Sequence, residues 1–348
     1  MNRFKIGSKF IGEGESTYIV AEIGANHNGD ISLAKEMIDG AIECNVDAVK
    51  FQTYTSRELL SDFEREILWG TKKTRENIAN MFDRISLKRE WHDEVFKYAR
   101  GKGMEVFSTP FSTEGVDFLS SLDVPCFKIA ASDVNYTDLL KKVSLTGKPV
   151  MLSLGKCSMA EADTSICYLE ECGSDMNVLM HCVAQYPSPM DEMNINVIKT
   201  LKQMYNEYVI GFSDHSLGTT AALGAVALGA KVVEKHFTID KGLEGPDHWF
   251  SMDINEMKHL VNEVRNLEVA FGSGRKRVLS CEDDERKKSI RSLVLNRDVQ
   301  AGDVLKRDYM KMVRPGYGIS PFDIDKVIGL KVSRELKENT VLTWDCFK

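Results

Sequence analysis

Residues 209–253 read VIGFSDHSLGTTAALGAVALGAKVVEKHFTIDKGLEGPDHWFSMD. An apolar run of strand length ends in Ser213-Asp214-His215, a helix of small residues follows, and a second apolar run ends in His236. One strand, one crossover helix and the next parallel strand need about the twenty-one residues that separate the two histidines. The two imidazoles would then stand side by side on one edge of a parallel sheet. Neutral imidazoles so placed suit a divalent transition metal. The alternative is a pair of unrelated histidines, one capping a turn and one packed in the core. Residues elsewhere in the chain decide between them.

Outward from this unit, eight apolar runs alternate with helical patterns. The predicted strands are 18–24, 48–54, 105–111, 126–130, 149–155, 177–183, 209–215 and 231–238. Helical patterns cover 31–44, 87–103, 159–172 and 254–271. Continuous apolar strands alternating with helices predict a parallel sheet covered by helices. Eight units in this length predict a (β/α)8 TIM barrel over residues 1–272. A doubly wound open sheet is disfavoured, because no GxGxxG follows the first strand. An opening ribbon (Phe4 to Gly14) precedes the barrel. Thr55 to Ser86, charged and holding Trp69, reads as a substrate-covering excursion or as a plain surface helical hairpin.

Residues 273–289, charged and glycine-bearing, read as a linker. In residues 290–348 the segment Arg297–Asp308 is echoed by Arg334–Asp345. That duplication predicts a small pseudo-symmetric domain, marginal alone and in need of a docking surface.

The chain has 348 residues, 43% hydrophobic and 28% charged, with a net charge of −7. These values describe an ordinary globular chain without the basic footprint of a nucleic-acid binder. No apolar run reaches the roughly 20 residues of a membrane span, and MNRFKIGSKF lacks a signal peptide's apolar region. Eight scattered cysteines without a CxxC read as reduced thiols of a cytoplasmic protein.

Barrel sites gather where strands end. Those positions hold Glu22, Asn26 and His27; Lys50 and Gln52; Thr109; Lys128, Ser132 and Asp133; Ser153; His181, Gln185 and Tyr186; Ser213, Asp214 and His215; and Glu234 and His236. Five of the seven histidines lie there or in the loops beyond, with His92 and His259 expected on surface helices. Lys50 and Lys128 sit inside apolar runs, where an unpaired ammonium is costly. Two lysines in one barrel mouth predict a phosphate or carboxylate ligand, helped by the hydroxyls of Ser132, Ser153 and Ser213. The competing reading pairs each lysine with Glu22, Asp133 or Glu234. A metal beside an anion site suggests Lewis-acid activation of a carbonyl, with Glu22 and Asp133 handling protons or a water.

AEIGANHNGD, VKFQTY, FSTPFS, FKIAASD, GKPVMLSLG, HCVAQYPSP, IGFSDHSLG, EKHFTID with GPDH, and VRPGYGISP together resemble the sialic acid synthase family. That family includes the legionaminic and pseudaminic acid synthases. The resemblance runs in order along essentially the whole chain, and the duplicated segment resembles the family's C-terminal antifreeze-like (SAF) domain.

By this resemblance the enzyme joins phosphoenolpyruvate to an N-acetylated amino sugar with a divalent ion, Mn2+ first and Mg2+ or Co2+ as alternatives. His215 and His236 correspond to metal ligands. Lys50, Lys128, Ser153 and Ser213 correspond to phosphoenolpyruvate-binding positions, with Gln52 and Thr109 beside them. Glu22, Tyr186 and Asp247 correspond to positions near the acceptor sugar. Arg314 corresponds to an arginine that a partner subunit's SAF domain inserts in a domain-swapped homodimer. Lys128-Ile-Ala-Ala-Ser-Asp133 departs from the frequent Lys-Ile-x-Ser-Gly-Glu, which shifts Ser132 and shortens the carboxylate at Asp133. Val183-Ala184-Gln185 departs from a Thr-Asn or Thr-Ser pair and implies a differently tuned acceptor pocket. Rival readings are a synthase acting on a phosphorylated aldose and a carbohydrate-binding barrel without chemistry.

Overall fold

The computed structural model describes residues 3–59, 64–69 and 72–348, with backbone alone for 64–69 and 72–76. Eight parallel strands form a closed barrel in chain order: β1 Tyr18–Gly24, β2 Ala48–Thr53, β3 Glu105–Pro110, β4 Phe127–Ile129, β5 Val150–Leu154, β6 Asn177–Cys182, β7 Val209–Asp214 and β8 Val232–His236. Closure comes from β8 on β1, with Val232 opposite Tyr18 and His236 opposite Glu22. The strands expected from sequence are all present: β1 matches in full, β2 to β7 are shorter by one or two residues, and β8 is shorter by three. His215 therefore begins the loop after β7, with Asp214 as the last strand residue.

The covering helices are α1 Ile31–Glu43, α2 Arg89–Gly101, α3 Thr113–Ser121, α4 Thr137–Ser144, α5 Met159–Glu171, α6 Val197–Met204, α7 Thr220–Ala227 and α8 Ile254–Ala270. Every residue of β1, β6, β7 and β8 is buried. One face meets helices and the other the lumen, so no polar alternation appears in these runs. Helix α7 is built of small residues because it packs closely: a Cβ on Gly224 would lie 2.7 Å from Ile195 Cδ1. Gly211 plays the same part in the lumen, where a Cβ would meet Met180 at 3.1 Å and Val232 at 3.2 Å. Helix α8 starts at Asp253 because of a capping box: the Asp253 carboxylate accepts from Glu256 N, and the Glu256 carboxylate accepts from Asp253 N.

The opening ribbon is an antiparallel hairpin of Arg3–Ile6 and Lys9–Gly12, with Ile6 and Ile11 buried in the barrel core. The excursion after β2 differs from a helical hairpin. A short helix, Ser56–Leu59, is followed by an antiparallel pair, Glu64–Trp69 with Lys72–Asn77, and by a helix at Ile78–Ile85. The side chain of Trp69 lies outside the described residues. Met81 and Ile85 of the second helix pack on Ala25, in the loop after β1. His92, expected at the surface, is wholly buried on the inner face of α2, between Thr53 Oγ1 (2.8 Å) and the Lys88 carbonyl (3.0 Å). Those two contacts satisfy both ring nitrogens, which is why a helix on the protein surface can carry a histidine turned inward.

Residues 272–348 form a second compact unit with its own core. The stretch 273–289 belongs to it and contains a short helix at Asp283–Ser289. The duplicated segments pair with each other. Val299 N donates to Leu336 O at 2.9 Å and Leu336 N to Val299 O at 3.0 Å. Leu305 N donates to Leu330 O while Leu342 N donates to Leu293 O, the pair related by the same offset of thirty-seven residues. Gly302 and its counterpart Asn339 both take positive φ, +94° and +66°. Glycine and asparagine are the residues that tolerate this left-handed turn.

Candidate active site

Strand alternation sends Glu22, Lys50, Gln52, Lys128, Ser213, Glu234 and His236 into the lumen. Lys50 Nζ lies 2.9 Å from Glu22 Oε2 and 3.6 Å from Glu234 Oε1, and it donates to Thr109 Oγ1 at 3.0 Å. Lys128 Nζ donates to Glu234 Oε1 at 2.8 Å, and Ser213 Oγ donates to the same oxygen at 3.1 Å. Gln52 Nε2 donates to Glu22 Oε1 at 2.9 Å. The lysines are thus paired, with Glu22 and Glu234 as partners and without Asp133. Glu234 comes from β8 and Lys128 from β4, four strands away, so the pair meets across the lumen.

Burial works against every charge here, and the outcome differs by position. Burial opposes Glu234, but Lys128 and Lys50 outweigh it and bring its pKa down to about 2. Burial wins at Glu22, whose pKa is raised despite Lys50. The Lys50 ammonium, also opposed by burial, is held above its usual value by Glu22 and Glu234. Two cations facing one ionised and one reluctant carboxylate leave the lumen ready for an anion. Ser153, two residues beyond the Lys128 partner Met151, adds a buried hydroxyl with no hydrogen-bond partner among the described residues. Glu234 Oε2 is likewise buried and, among the described residues, unpartnered.

His215 and His236 do meet, with ring centroids 5.5 Å apart. Burial lowers the His215 pKa to about 4, and burial with the neighbouring His215 puts His236 well below its ordinary value. Both rings are neutral at pH 7. His215 Nδ1 lies 2.9 Å from the Val183 carbonyl, so that nitrogen carries the proton and donates, and Nε2 keeps its lone pair. Among the described residues His236 Nδ1 is buried without a hydrogen bond, and Asp247 Oδ2 lies 3.8 Å from it. Two neutral imidazoles with free lone pairs fit a divalent ion. Among the described residues no three His, Cys, Asp or Glu groups converge as a complete cage, so the ion's other positions would fall to water or substrate.

The loop bearing His215 is fixed by charges on the outer face of the barrel. Lys235 Nζ donates to Asp214 Oδ2 at 2.7 Å and to the Gly218 carbonyl at 3.2 Å. Asp214 Oδ1 in turn accepts from Ser216 N (2.8 Å) and Ser216 Oγ (2.7 Å). His215 sits inside that clasp. Tyr186 lies over both histidines, 4.2 Å from the His215 ring and 5.7 Å from the His236 ring. Burial, and then Glu22, raise the Asp247 pKa to about 7.

Other expected residues of the barrel make none of the contacts just described. Ser132 is exposed and accepts from Lys156 Nζ at 2.9 Å. Asp133 follows β4 in a turn of 3-10 helix, with Oδ2 buried and unpartnered among the described residues and a pKa pushed by burial to about 6. Arg314 is an exposed residue of the second unit. His181 is committed to structure: Nε2 pairs with the Met193 carbonyl at 2.8 Å and the ring stacks on Phe212. Lys235 is the residue that sequence reasoning missed; Glu234, expected as a possible partner of one lysine, pairs with both.

Residues 37–276 match the NeuB family and residues 290–348 match the SAF domain. The chain is 36% identical to N,N'-diacetyllegionaminic acid synthase of Legionella pneumophila, covering 99% of this chain and 98% of that one. It is 35% identical to pseudaminic acid synthase of Helicobacter pylori, covering 94% and 96%. The solved N-acetylneuraminic acid synthetase of Leptospira borgpetersenii is 31% identical and superposes with a TM-score of 0.72, covering 82% of this chain and 95% of that one. With its lysine-lined barrel and SAF unit, the chain belongs to the NeuB family.

Proposed function

We propose that this protein is a transferase that condenses phosphoenolpyruvate with an N-acetylated amino sugar, giving a nonulosonic acid and phosphate. The observation that carries the reading is the closed lumen with Lys50, Lys128 and the free Ser153 hydroxyl set below two neutral histidines. The lysines and Ser153 receive the phosphate and carboxylate, displacing part of their contact with Glu22 and Glu234. C3 of phosphoenolpyruvate attacks the aldehyde carbon of the open-chain sugar. Water adds to the resulting oxocarbenium-like C2, and the adduct loses phosphate by C–O cleavage to leave a ketone. Positioning and charge carry most of this chemistry. Glu22 and Asp133, both held toward the protonated form by burial, suit proton transfer and orientation of the water. His215 and His236 would hold a divalent ion, Mn2+ first, which supplies Lewis-acid polarisation of the aldehyde oxygen. Tyr186 and Asp247 would border the acceptor.

The reading is tested by phosphate release from phosphoenolpyruvate, with and without Mn2+, against N-acetylmannosamine, its 6-phosphate and a 2,4-diacetamido sugar. Release that requires both an N-acetylated acceptor and the metal is expected. Release without any acceptor, or none with all three, overturns it. Eight free cysteines suit a reducing cytoplasm, and no helix among the described residues is long and apolar enough to cross a membrane.

Assembly as a homodimer that exchanges its SAF units is part of this proposal. Arg314 lies in a turn whose glycines are forced by close packing: a Cβ on Gly316 would fall 2.1 Å from Ile290 Cγ1, and one on Gly318 2.6 Å from the Leu342 carbonyl. A rigid turn presenting one exposed guanidinium suits recognition of a polar sugar. Subunit exchange between Arg314→Ala and Lys50→Met chains, each inactive alone, should restore about one working site per heterodimer. Proven heterodimers without recovery would mean that Arg314 acts in its own subunit or not at all.

A further inference from the structure

The loop between β8 and α8, residues 237–253, brings Asp247 to His236. A histidine that the reaction outlined above does not use fastens this loop. His248 is fully buried, and both of its ring nitrogens are engaged. Nδ1 lies 2.7 Å from Thr238 Oγ1, near the start of the loop. Nε2 lies 3.2 Å from Asn28 Nδ2, in the loop after β1. The same Asn28 amide donates to the Glu244 carbonyl at 2.7 Å. Gly245 lets the chain close over the ring, since a Cβ there would lie 2.6 Å from His248 Cδ2.

The partners fix the state of the ring. An amide NH2 only donates, so Nε2 keeps its lone pair and Nδ1 carries the proton. The Glu244 carbonyl decides which way the amide points. Thr238 Oγ1 accepts from Nδ1, because its own proton goes to the Asp240 carbonyl at 3.1 Å. Burial lowers the His248 pKa to about 4, so the ring stays neutral near pH 7 and the relay keeps one direction. Asn28 holds a φ of +51°, the left-handed turn that asparagine tolerates. Asp247, next to His248 in the chain, is where this tie has its effect. Burial and Glu22 both work against a charge on Asp247, so the backbone has to hold its carboxyl in place.

We propose that His248 is a positioning residue: its ring ties the loop after β8 to the loop after β1 and holds Asp247 beside His236. This rests on the condensation and the ion site proposed above, and adds to them a residue that touches neither substrate nor ion. Groups behind a metal-binding imidazole set its orientation and basicity, and losing one costs roughly 10- to 100-fold in metal affinity. His248 acts one step further out, through Asp247.

His248→Ala should raise the Mn2+ dissociation constant and the acceptor KM about 10-fold each, with the phosphoenolpyruvate KM unmoved. His248→Gln can still accept from Asn28 and should recover part of both losses. Asn28→Gly cuts the tie from the other loop, keeps the left-handed backbone, and should match His248→Ala. It carries the test if His248→Ala does not fold. In an Asp247→Ala background, adding His248→Ala should change either constant by less than about twofold, because residues acting in one chain of contacts are not additive. Full losses in both backgrounds, or a phosphoenolpyruvate KM that rises with the acceptor KM, would show a general structural role and overturn the proposal. So would an Mn2+ affinity unchanged by His248→Ala and Asn28→Gly. Calorimetry measures Mn2+ binding without turnover. Wild-type enzyme that releases no phosphate with any acceptor would therefore sink the condensation reading, while the Mn2+ comparison still decides the role of His248.

Discussion

Lys50→Met is expected to lower kcat/KM by about 10³-fold and, separately, to destabilise the protein at neutral pH. The first effect follows from losing a buried charge that meets an anionic substrate, a loss of about 4 kcal/mol at roughly 1.4 kcal/mol per tenfold. The second follows from what Lys50 touches. Glu22 is 1% exposed and has the ammonium 2.9 Å away. Removing one partner of a buried pair costs about 3–5 kcal/mol, because the other charge is left uncompensated.

The sign with pH distinguishes this from ordinary loss of packing. Burial already raises the Glu22 pKa, and Lys50 is the charge that pulls it back. Without Lys50 the folded-state value rises further above the unfolded one. The destabilisation is then greatest above the folded pKa, and it shrinks as pH falls toward the unfolded value and Glu22 takes up its proton. Melting temperatures of wild type and variant should therefore converge on acidification. Adding Glu22→Gln should recover stability at pH 7 without recovering phosphoenolpyruvate binding. A variant that stays equally destabilised at every pH would show that the lysine stem matters and the charge does not. Normal kcat/KM in Lys50→Met would remove Lys50 from the binding site.

His215→Ala is expected to abolish divalent-ion binding and reduce turnover by at least about 10³-fold while leaving the fold intact. The ring contributes a lone pair from Nε2, and its Nδ1 proton is tied to the Val183 carbonyl. With one imidazole left, the protein keeps half its donors. Stability should change little, because the loop is held by Lys235, Asp214 and Ser216 and not by the ring. Mn2+ titration followed by calorimetry measures the first effect, and thermal unfolding the second. Stoichiometric Mn2+ binding with normal turnover by the variant would remove His215 as a ligand. Lys235→Met should weaken the metal through the loop, and Lys235→Arg should restore part of the affinity.

The barrel was legible in the sequence because its strands are covered on both faces. Runs such as Val209–Asp214 and Asn177–Cys182 must be apolar throughout, and eight of them separated by helices admit few closed arrangements. Histidines one βα unit apart were legible for a related reason: consecutive parallel strands are neighbours, so spacing along the chain becomes adjacency in space. The pairing of Arg297–Asp308 with Arg334–Asp345 could be read as a repeat, although the reciprocal bonds between Val299 and Leu336 are a tertiary fact.

Tertiary structure alone decided which charges meet inside. Glu234 and Lys128 are 106 residues apart and on opposite walls, and only closure of the barrel brings them to 2.8 Å. Strand parity says that both point inward, but not how far each long side chain reaches or which oxygen it finds. The histidines divide in the same way. His181 and His215 both fall at strand ends, yet His181 turns to the Met193 carbonyl while His215 turns to Val183 and keeps a nitrogen free beside His236. The composition of a strand fixes which face it buries. Which partner a polar group finds on that face depends on atoms brought from elsewhere in the chain.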